Sequence, residues 1–128
     1  MSHWSTVKTA IKNKTGLLAA LKELFPENQI SENEIVRGYS GNRLRAEIVL
    51  KGKTGSYDIG FNNENGTYAM TTDWWGAKRE FGNETDFTNG LNRCYAKSVA
   101  KAKAKKLGYM VKETENENGD IQLVLTKY

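Results

Sequence analysis

The segment YDIGFNNENGTYAMTTDWWG, residues 57–76, decides the fold of this chain. Apolar and polar residues alternate on both sides of the turn residues at 62–66. An alternation with a period of two is typical of strands that are buried on one face. The segment therefore predicts an aromatic β-hairpin, which ends at two successive tryptophans, Trp74 and Trp75.

The same alternation extends upstream of this hairpin. Residues 44–51 alternate between apolar and mostly charged side chains, and residues 35–39 form a shorter apolar stretch closed by turn residues at 40–42. Glycines at both ends of residues 52–55 favour a tight connection between the strands. Short strands that follow one another through turns predict an antiparallel meander of three or four strands.

Two stretches have the spacing of amphipathic helices. In the first, Thr15 is the expected N-cap, the leucines of residues 17–25 fall on one face, and Pro26 ends the helix. In the second, which is the longest element, Thr85 is the expected N-cap and Gly108 occupies the C-terminal cap position. The residues between the hairpin and this second helix, 76–84, are expected to form a loop.

The two ends of the chain complete the predicted order. Residues 3–11 alternate as a strand would, although helical spacing remains an alternative, and residues 109–114 and 121–127 predict a terminal hairpin. The sequence thus predicts a single α+β domain over residues 1–128, an antiparallel sheet with two helices packed on one face. The predicted order is β-α-β-β-β-β-α-β-β.

Composition limits the classes of protein that this chain can be. A hydrophobic content of 38% with 27% charged residues indicates a globular chain, and no apolar run approaches the roughly 20 residues that cross a bilayer. Cys94 is the only cysteine and His3 the only histidine, so we expect neither a disulfide nor a transition-metal site, and no cofactor. The N-terminal residues lack an apolar secretory signal, which predicts a cytoplasmic location.

The strands carry the residues that we expect to bind a protein partner. Of the two successive tryptophans, alternation buries one and exposes the other unless a bulge or turn intervenes, and an exposed tryptophan can anchor a partner. Asp58 and Asp73, with Glu47, could share a site for acid and base catalysis or for a hard cation. A charged sheet face, with partners such as Arg37 or Arg45, is the interpretation that we favour. The partner-binding candidates are Arg37, Tyr39, Asp58, Asp73, Trp74 and Trp75.

The second helix carries a basic face. The net charge of the chain is +4, and Lys97, Lys101 and Lys105 recur every four residues on the side opposite the apolar stripe, with Arg93 one step earlier. Such a row could contact the phosphates of RNA or DNA. A solvated face that stabilises the negative end of the helix is the more ordinary explanation.

Several short motifs occur together and in order along nearly the whole chain. They are SHWSTVKTAI (2–11), RGYSG (37–41), AEIVL (46–50), YDIGF (57–61), DWWG (73–76), RCYAKSV (93–99) and GDIQLVL (119–125). In these motifs the chain resembles the uncharacterised plastid and cyanobacterial family called hypothetical chloroplast reading frame thirty-five. The resemblance implies a photosynthetic lineage, namely a cyanobacterium, a plastid or a cyanophage, and it supplies no reaction or catalytic residues.

The sequence leaves three functional hypotheses. The first is a non-enzymatic adaptor that recognises a protein through its sheet edge and aromatic and basic residues. The second is sequence-independent binding of RNA or DNA by the lysine face and tryptophans, and the third is a small enzyme that uses Asp58 and Asp73. We expect the protein to act in the cytoplasm, in the plastid stroma, or in the host cytoplasm if a phage encodes it.

Overall fold

Seven strands and three helices form the part of the chain that this computed structural model describes, residues 4–38, 43–53 and 57–127. The strands are β1 (Trp4–Lys8), β2 (Ile30–Arg37), β3 (Arg43–Leu50), β4 (Ile59–Glu64), β5 (Thr67–Asp73), β6 (Tyr109–Glu115) and β7 (Ile121–Lys127). The helices are α1 (Lys14–Leu24), α2 (Trp74–Phe81) and α3 (Glu84–Lys106).

The first five strands make one antiparallel sheet in the order β1-β5-β4-β3-β2. The predicted meander is confirmed as β2 to β5, and β1 closes the sheet by pairing with β5. The turn between β4 and β5 contains Asn65 and Gly66, both with positive φ, which suits the two-residue hairpin loop that Asn-Gly favours. This turn fixes the register in which Phe61 lies opposite Met70.

The core lies between this sheet and the helices. Buried side chains of β3, β4 and β5 meet those of α1 and α3 in one cluster, so the prediction of an α+β domain with its helices on one face is confirmed. The members from the strands are Ile48, Leu50, Ile59, Phe61, Tyr68 and Met70, and those from α1 and α3 are Leu17, Ala20, Leu21, Phe87, Leu91 and Cys94.

A second, smaller cluster forms where Trp4 packs against Val36, Ala46 and Val49. Val49 follows Ile48 directly in β3 and therefore faces the other side of the sheet. Trp4 thus covers part of the sheet face that the helices leave open, and residues 4–8 form a strand, not the alternative helix.

The last two strands differ from the prediction in one respect. β6 and β7 pair with each other as expected, but they form a separate two-stranded sheet. This hairpin packs on α3, and β6 lies closer to the helix than β7 does. The long helix α3 therefore contacts α1 on one side and the hairpin on another.

The region after the tryptophans is a correction to the prediction. Residues 76–84 were expected to be a loop, whereas Trp74–Phe81 form α2. Gly82, with a φ of 80°, ends the helix in a conformation that other residues adopt with difficulty. The strand Thr67–Asp73 therefore passes directly into a helix.

The remaining corrections concern where elements begin. The N-caps are Asn13 and Asn83, two residues before the expected Thr15 and Thr85, because each asparagine accepts a hydrogen bond from the backbone N–H three residues later. The strand expected at 35–39 begins five residues earlier, at Ile30. Tyr39 and the turn at 40–42 lie outside the described residues.

Candidate functional site

The two tryptophans at the start of α2 differ in their exposure to solvent. Asp73 is fully buried and caps the helix, since its Oδ1 accepts from the backbone N–H of Trp75 at 3.1 Å. Trp74 packs against the core, with its ring 5.7 Å from that of Phe87. Trp75 is 46% exposed. Because the chain turns into a helix directly after β5, the indole of Trp75 faces solvent and that of Trp74 faces the core.

Close packing holds α2 in place. A Cβ atom at Gly76 would lie 2.2 Å from the ring of Tyr57, so the tyrosine rests directly on the helix backbone. At the other end, Phe81 is buried and meets Phe25 edge to face, with the ring centroids 5.2 Å apart. Trp75 is thus presented by a helix that is anchored at both ends.

Trp75 shares one side of α2 with two cations. Lys78 and Arg79 are exposed and follow the tryptophan by three and four residues, which places all three side chains on one helical face. We call Trp75, Lys78 and Arg79 the α2 face. Tryptophan and arginine are the residue types most enriched at the energetic centres of protein interfaces.

Asp58 lies at the centre of a different cluster, and it has a structural role. Its carboxylate accepts from the backbone N–H, Nε and Nη2 of Arg37 at 2.8, 2.9 and 2.8 Å, and from the backbone N–H of Gly52 at 2.9 Å. Lys51 Nζ lies 3.7 Å away. The pairing with Arg37 is as predicted, but Asp58 is fully buried rather than on a solvated sheet face.

The surroundings of Asp58 act on its pKa in opposite directions. Burial alone would raise the pKa of Asp58, but the hydrogen bonds from the Arg37 side chain and from the backbone of Gly52 and Arg37 favour the charged form and lower it. The carboxylate therefore stays ionised and joins the end of β2 to the segment that follows β3.

The two aspartates do not have the features of a catalytic pair. Both are fully buried, and each accepts hydrogen bonds from the backbone that hold the fold locally. Asp58 receives four donors from Arg37 and Gly52, which leaves little capacity for a substrate. Neither carboxylate is open to a solute, so the geometry does not favour the enzyme hypothesis.

The lysines in the row on α3 differ in their exposure and in their ion pairs. Lys97 is only 9% exposed and makes ion pairs with Glu23 of α1 and with Glu113 of β6, the latter at 3.1 Å. Lys101 Nζ lies 3.7 Å from the same Glu113. Lys105, in contrast, is exposed. The expectation of a uniformly solvated row is therefore wrong at Lys97, because the terminal hairpin covers that part of α3.

Charges and burial around Lys97 also affect its neighbours. Burial alone would lower the pKa of Lys97, but the hydrogen bonds to Glu23 and Glu113 outweigh it and raise the pKa. For Cys94, burial and then the Glu23 carboxylate raise the pKa of the thiol, which makes it a weak nucleophile. Arg93, one turn before Lys97, is exposed.

Four residues of the α2 face and of the ion pairs around Lys97 were not predicted from the sequence. Lys78 and Arg79 were assigned to a loop, and the signal that could have placed them on a helix was Asp73 as an N-cap with Gly82 at the stop. Glu23 and Glu113 are the partners of Lys97, and they come from elements far apart in the sequence. No local pattern brings those three residues together.

The described residues contain neither a metal-ligand cluster nor a membrane-spanning helix. In residues 4–38, 43–53 and 57–127, no three histidine, cysteine or acidic side chains come together as metal ligands could. Within the same ranges, no helix has the length and apolar character needed to cross a membrane.

Comparisons with known proteins agree on one family. Residues 20–124 match the family described as "Protein of unknown function (DUF1257)". The chain is also 33% identical to "Uncharacterized protein ycf35" of Guillardia theta over 129 aligned positions, which cover 100% of this chain and 98% of that protein. No solved structure is significantly similar to it.

Proposed function

The chain belongs to this uncharacterised DUF1257 family, which includes ycf35, and from that premise we propose that it is a non-catalytic module that binds a protein partner through the α2 face. The family supplies no reaction, so the proposal depends on the geometry of the site.

The observation that carries the proposal is the contrast between the two tryptophans. Exposing an indole leaves a large apolar surface in water, and the fold packs its partly buried neighbour Trp74 against the core at the same point. A helix anchored by Asp73, Tyr57 and Phe81 holds Trp75 in one position. A fixed aromatic anchor loses little conformational entropy when a partner binds, which favours affinity.

The chemistry of the α2 face defines the kind of partner. Lys78 and Arg79 lie one turn after Trp75 on the same face, so a complementary surface would offer an apolar pocket for the indole and carboxylates beside it for the two cations. We therefore expect an acidic protein as the partner. The proposed place of action is the cytoplasm of a cyanobacterium, the plastid stroma, or the host cytoplasm for a phage-encoded chain.

A photo-crosslinking amino acid in place of Arg79 tests this proposal. In a lysate of a photosynthetic host it should yield a discrete crosslinked partner, and Trp75→Ala in the same chain should remove that product. The matched control carries the crosslinker in place of Glu64, an exposed residue at the end of β4 that lies opposite Thr67, at the end of β5 remote from α2. Equal crosslinking at both positions, or a product that survives Trp75→Ala, would contradict the proposal.

Nucleic-acid binding remains the second candidate, on a different observation. Lys103, Lys105 and Lys106 are exposed in the last turns of α3, although Lys97 and Lys101 are engaged by Glu113. Exposed lysines gain affinity for phosphates at low salt.

Fluorescence anisotropy with labelled single-stranded RNA separates the two candidates. Binding through α3 should weaken with added salt and with the double substitution Lys105→Glu and Lys106→Glu. The matched double variant Lys78→Glu and Arg79→Glu should leave it unchanged. If the anisotropy of the RNA does not rise at low salt, the second candidate is dismissed.

A further inference from the structure

The β6–β7 hairpin is an unusual terminal element. It forms a sheet of only two strands, and β6 is the only strand that β7 pairs with among the described residues. Two-stranded ribbons are marginal in water unless further strands or a packed helix support them. Here α3 gives such support, chiefly to β6. The hairpin also carries three exposed apolar side chains, Met110, Val124 and Leu125, and Leu107 at the end of α3 is exposed beside its base.

The free edge of β7 lacks the features that protect the other strand edges. At the edges of the main sheet, β1 has five residues, and β2 carries Glu32, Glu34 and Asn33, whose φ is positive. β6 carries Lys112, Glu113 and Glu115. Short strands, charges and irregular backbone are the devices that prevent edges from pairing. β7 has seven residues and no charge, proline or glycine from Ile121 to Thr126.

The hairpin is charged in opposite senses at its two ends. Near its turn lie Glu115, Glu117 and Asp120, while Lys127 and the end of α3, with Lys105 and Lys106, lie at its base. An antiparallel strand laid along β7 would bring the turn of one hairpin to the base of the other. Two identical hairpins would then match opposite charges twice, whereas a parallel arrangement would oppose like charges.

We infer that β7 is the interface of a symmetric dimer, in which it pairs antiparallel with β7 of a second copy to give a four-stranded sheet. A two-fold axis at Val124 matches the whole strand, because Ile121 then lies opposite Lys127 of the partner copy and Val124 lies opposite its own counterpart. Leu123 meets the second Leu125 on the other face.

This arrangement accounts for the exposed apolar residues on β7. Val124 and Leu125 are each 47% exposed in the single chain, and both gain an apolar cross-strand neighbour in the dimer. It also leaves the α2 face on a different element, so dimer formation and partner binding at Trp75 can fail or succeed separately.

Sedimentation equilibrium of the full chain tests the inference. We expect a concentration-dependent mass that approaches two chains. Val124→Lys should weaken the dimer by about tenfold or more, because it sets two lysines opposite each other. The far-ultraviolet spectrum should stay unchanged, since position 124 is on the exposed side. The matched control Trp75→Ala should leave the dimer intact.

Two further variants test the register and the charges. Val124→Cys should form an intermolecular disulfide on mild oxidation, while the wild type, with only the buried Cys94, should not. Lys127→Glu should weaken the dimer, and adding Asp120→Lys should restore it. A monomeric wild type up to its solubility limit overturns the inference, as does a dimer insensitive to Val124→Lys or one lost on Trp75→Ala.

Discussion

Gly76 shows how one missing side chain positions α2. Its virtual Cβ lies 2.2 Å from the Tyr57 ring, well inside van der Waals contact. Gly76→Ala must therefore displace either the ring or the helix, and we expect it to lower the free energy of unfolding by about 2 to 3 kcal/mol, as overpacking does. Urea denaturation measures this change. A neutral effect would mean that the tyrosine moves away freely.

Gly90 provides the matched opposite case within α3. A Cβ atom there would meet the nearest side-chain atom, Leu24 Cδ2, at 3.6 Å, an ordinary contact. Because glycine costs backbone entropy in a helix interior, Gly90→Ala should raise the free energy of unfolding by about 0.5 to 1 kcal/mol. The same urea titration checks it, and a loss of stability would contradict the packing at this site.

Asp58 gives a prediction about pH. Because its pKa is lowered in the folded protein, its contribution is fully present above the ordinary aspartate value of about 3.9 and is lost as pH falls through the lower folded pKa. Asp58→Asn should cost about 2 to 3 kcal/mol near neutral pH, because it removes a buried charge that accepts hydrogen bonds from the half-exposed Arg37 side chain and from two backbone N–H groups.

The unfolding free energies of wild type and Asp58→Asn, measured across pH, test whether folding lowers the pKa of Asp58. Their difference in unfolding free energy should stay nearly constant from about pH 7 to about pH 5 and shrink as the pH falls below about 4. Arg37→Met is the matched control. It removes the partner of Asp58 and should therefore abolish most of the pH dependence that the Asp58 carboxylate gives to the wild type. A difference that stays constant from about pH 4 down to about pH 2 would show that folding does not lower the pKa of Asp58.

At the scale of elements, short sequence patterns predicted the strands and turns that depend on residues close together in the chain. Alternation located the strands around Phe61 and Met70, and Asn65 with Gly66 marked the turn between them. α2 escaped prediction because Trp74 continues the strand pattern, and the helix start is marked by a capping hydrogen bond from the N–H of Trp75 to Asp73. A capping contact of this kind is visible in the sequence only once the helix start is assumed.

The candidate site was predicted in part for the same reason. The tryptophan pair was identified from its sequence, but which indole is exposed depends on the turn that Asp73 makes. Lys97 was misplaced because its burial needs Glu23 and Glu113, which the chain brings together only through tertiary packing. Separate docking of the β6–β7 hairpin also depends on such long-range contacts.

The two tryptophans give the prediction for α2. Trp74→Ala should lower the free energy of unfolding by about 2 to 4 kcal/mol, because it removes an indole packed on Phe87 and the core. Trp75→Ala should change it by about 1 kcal/mol or less, since that side chain is half exposed. Thermal or urea unfolding of both variants measures the contrast. Equal losses would mean that Trp75 is a core residue and not a binding anchor.

At the scale of the whole molecule, α3 connects two sheets of different size. On one side it shares the main core with α1 and the five-stranded sheet, and on the other it supports a two-stranded hairpin. Lys97 links the two sides, because its ammonium group is held by Glu23 of α1 and Glu113 of β6 at once. Opening of the hairpin should therefore precede global unfolding.

Native-state hydrogen exchange tests this order of opening, in the Val124→Lys variant so that dimer formation does not protect β7. Amides of β6 and β7 should exchange faster than those of β4 and β5. Adding Lys97→Met should lower the opening free energy of the hairpin amides by about 1 to 2 kcal/mol more, because charged hydrogen bonds are lost. The effect on the amides of β4 should be smaller. Lys101→Met is the matched control, since its Nζ is 3.7 Å from Glu113 and its loss should matter less. Equal protection in the hairpin and the main sheet would show that the two units open together.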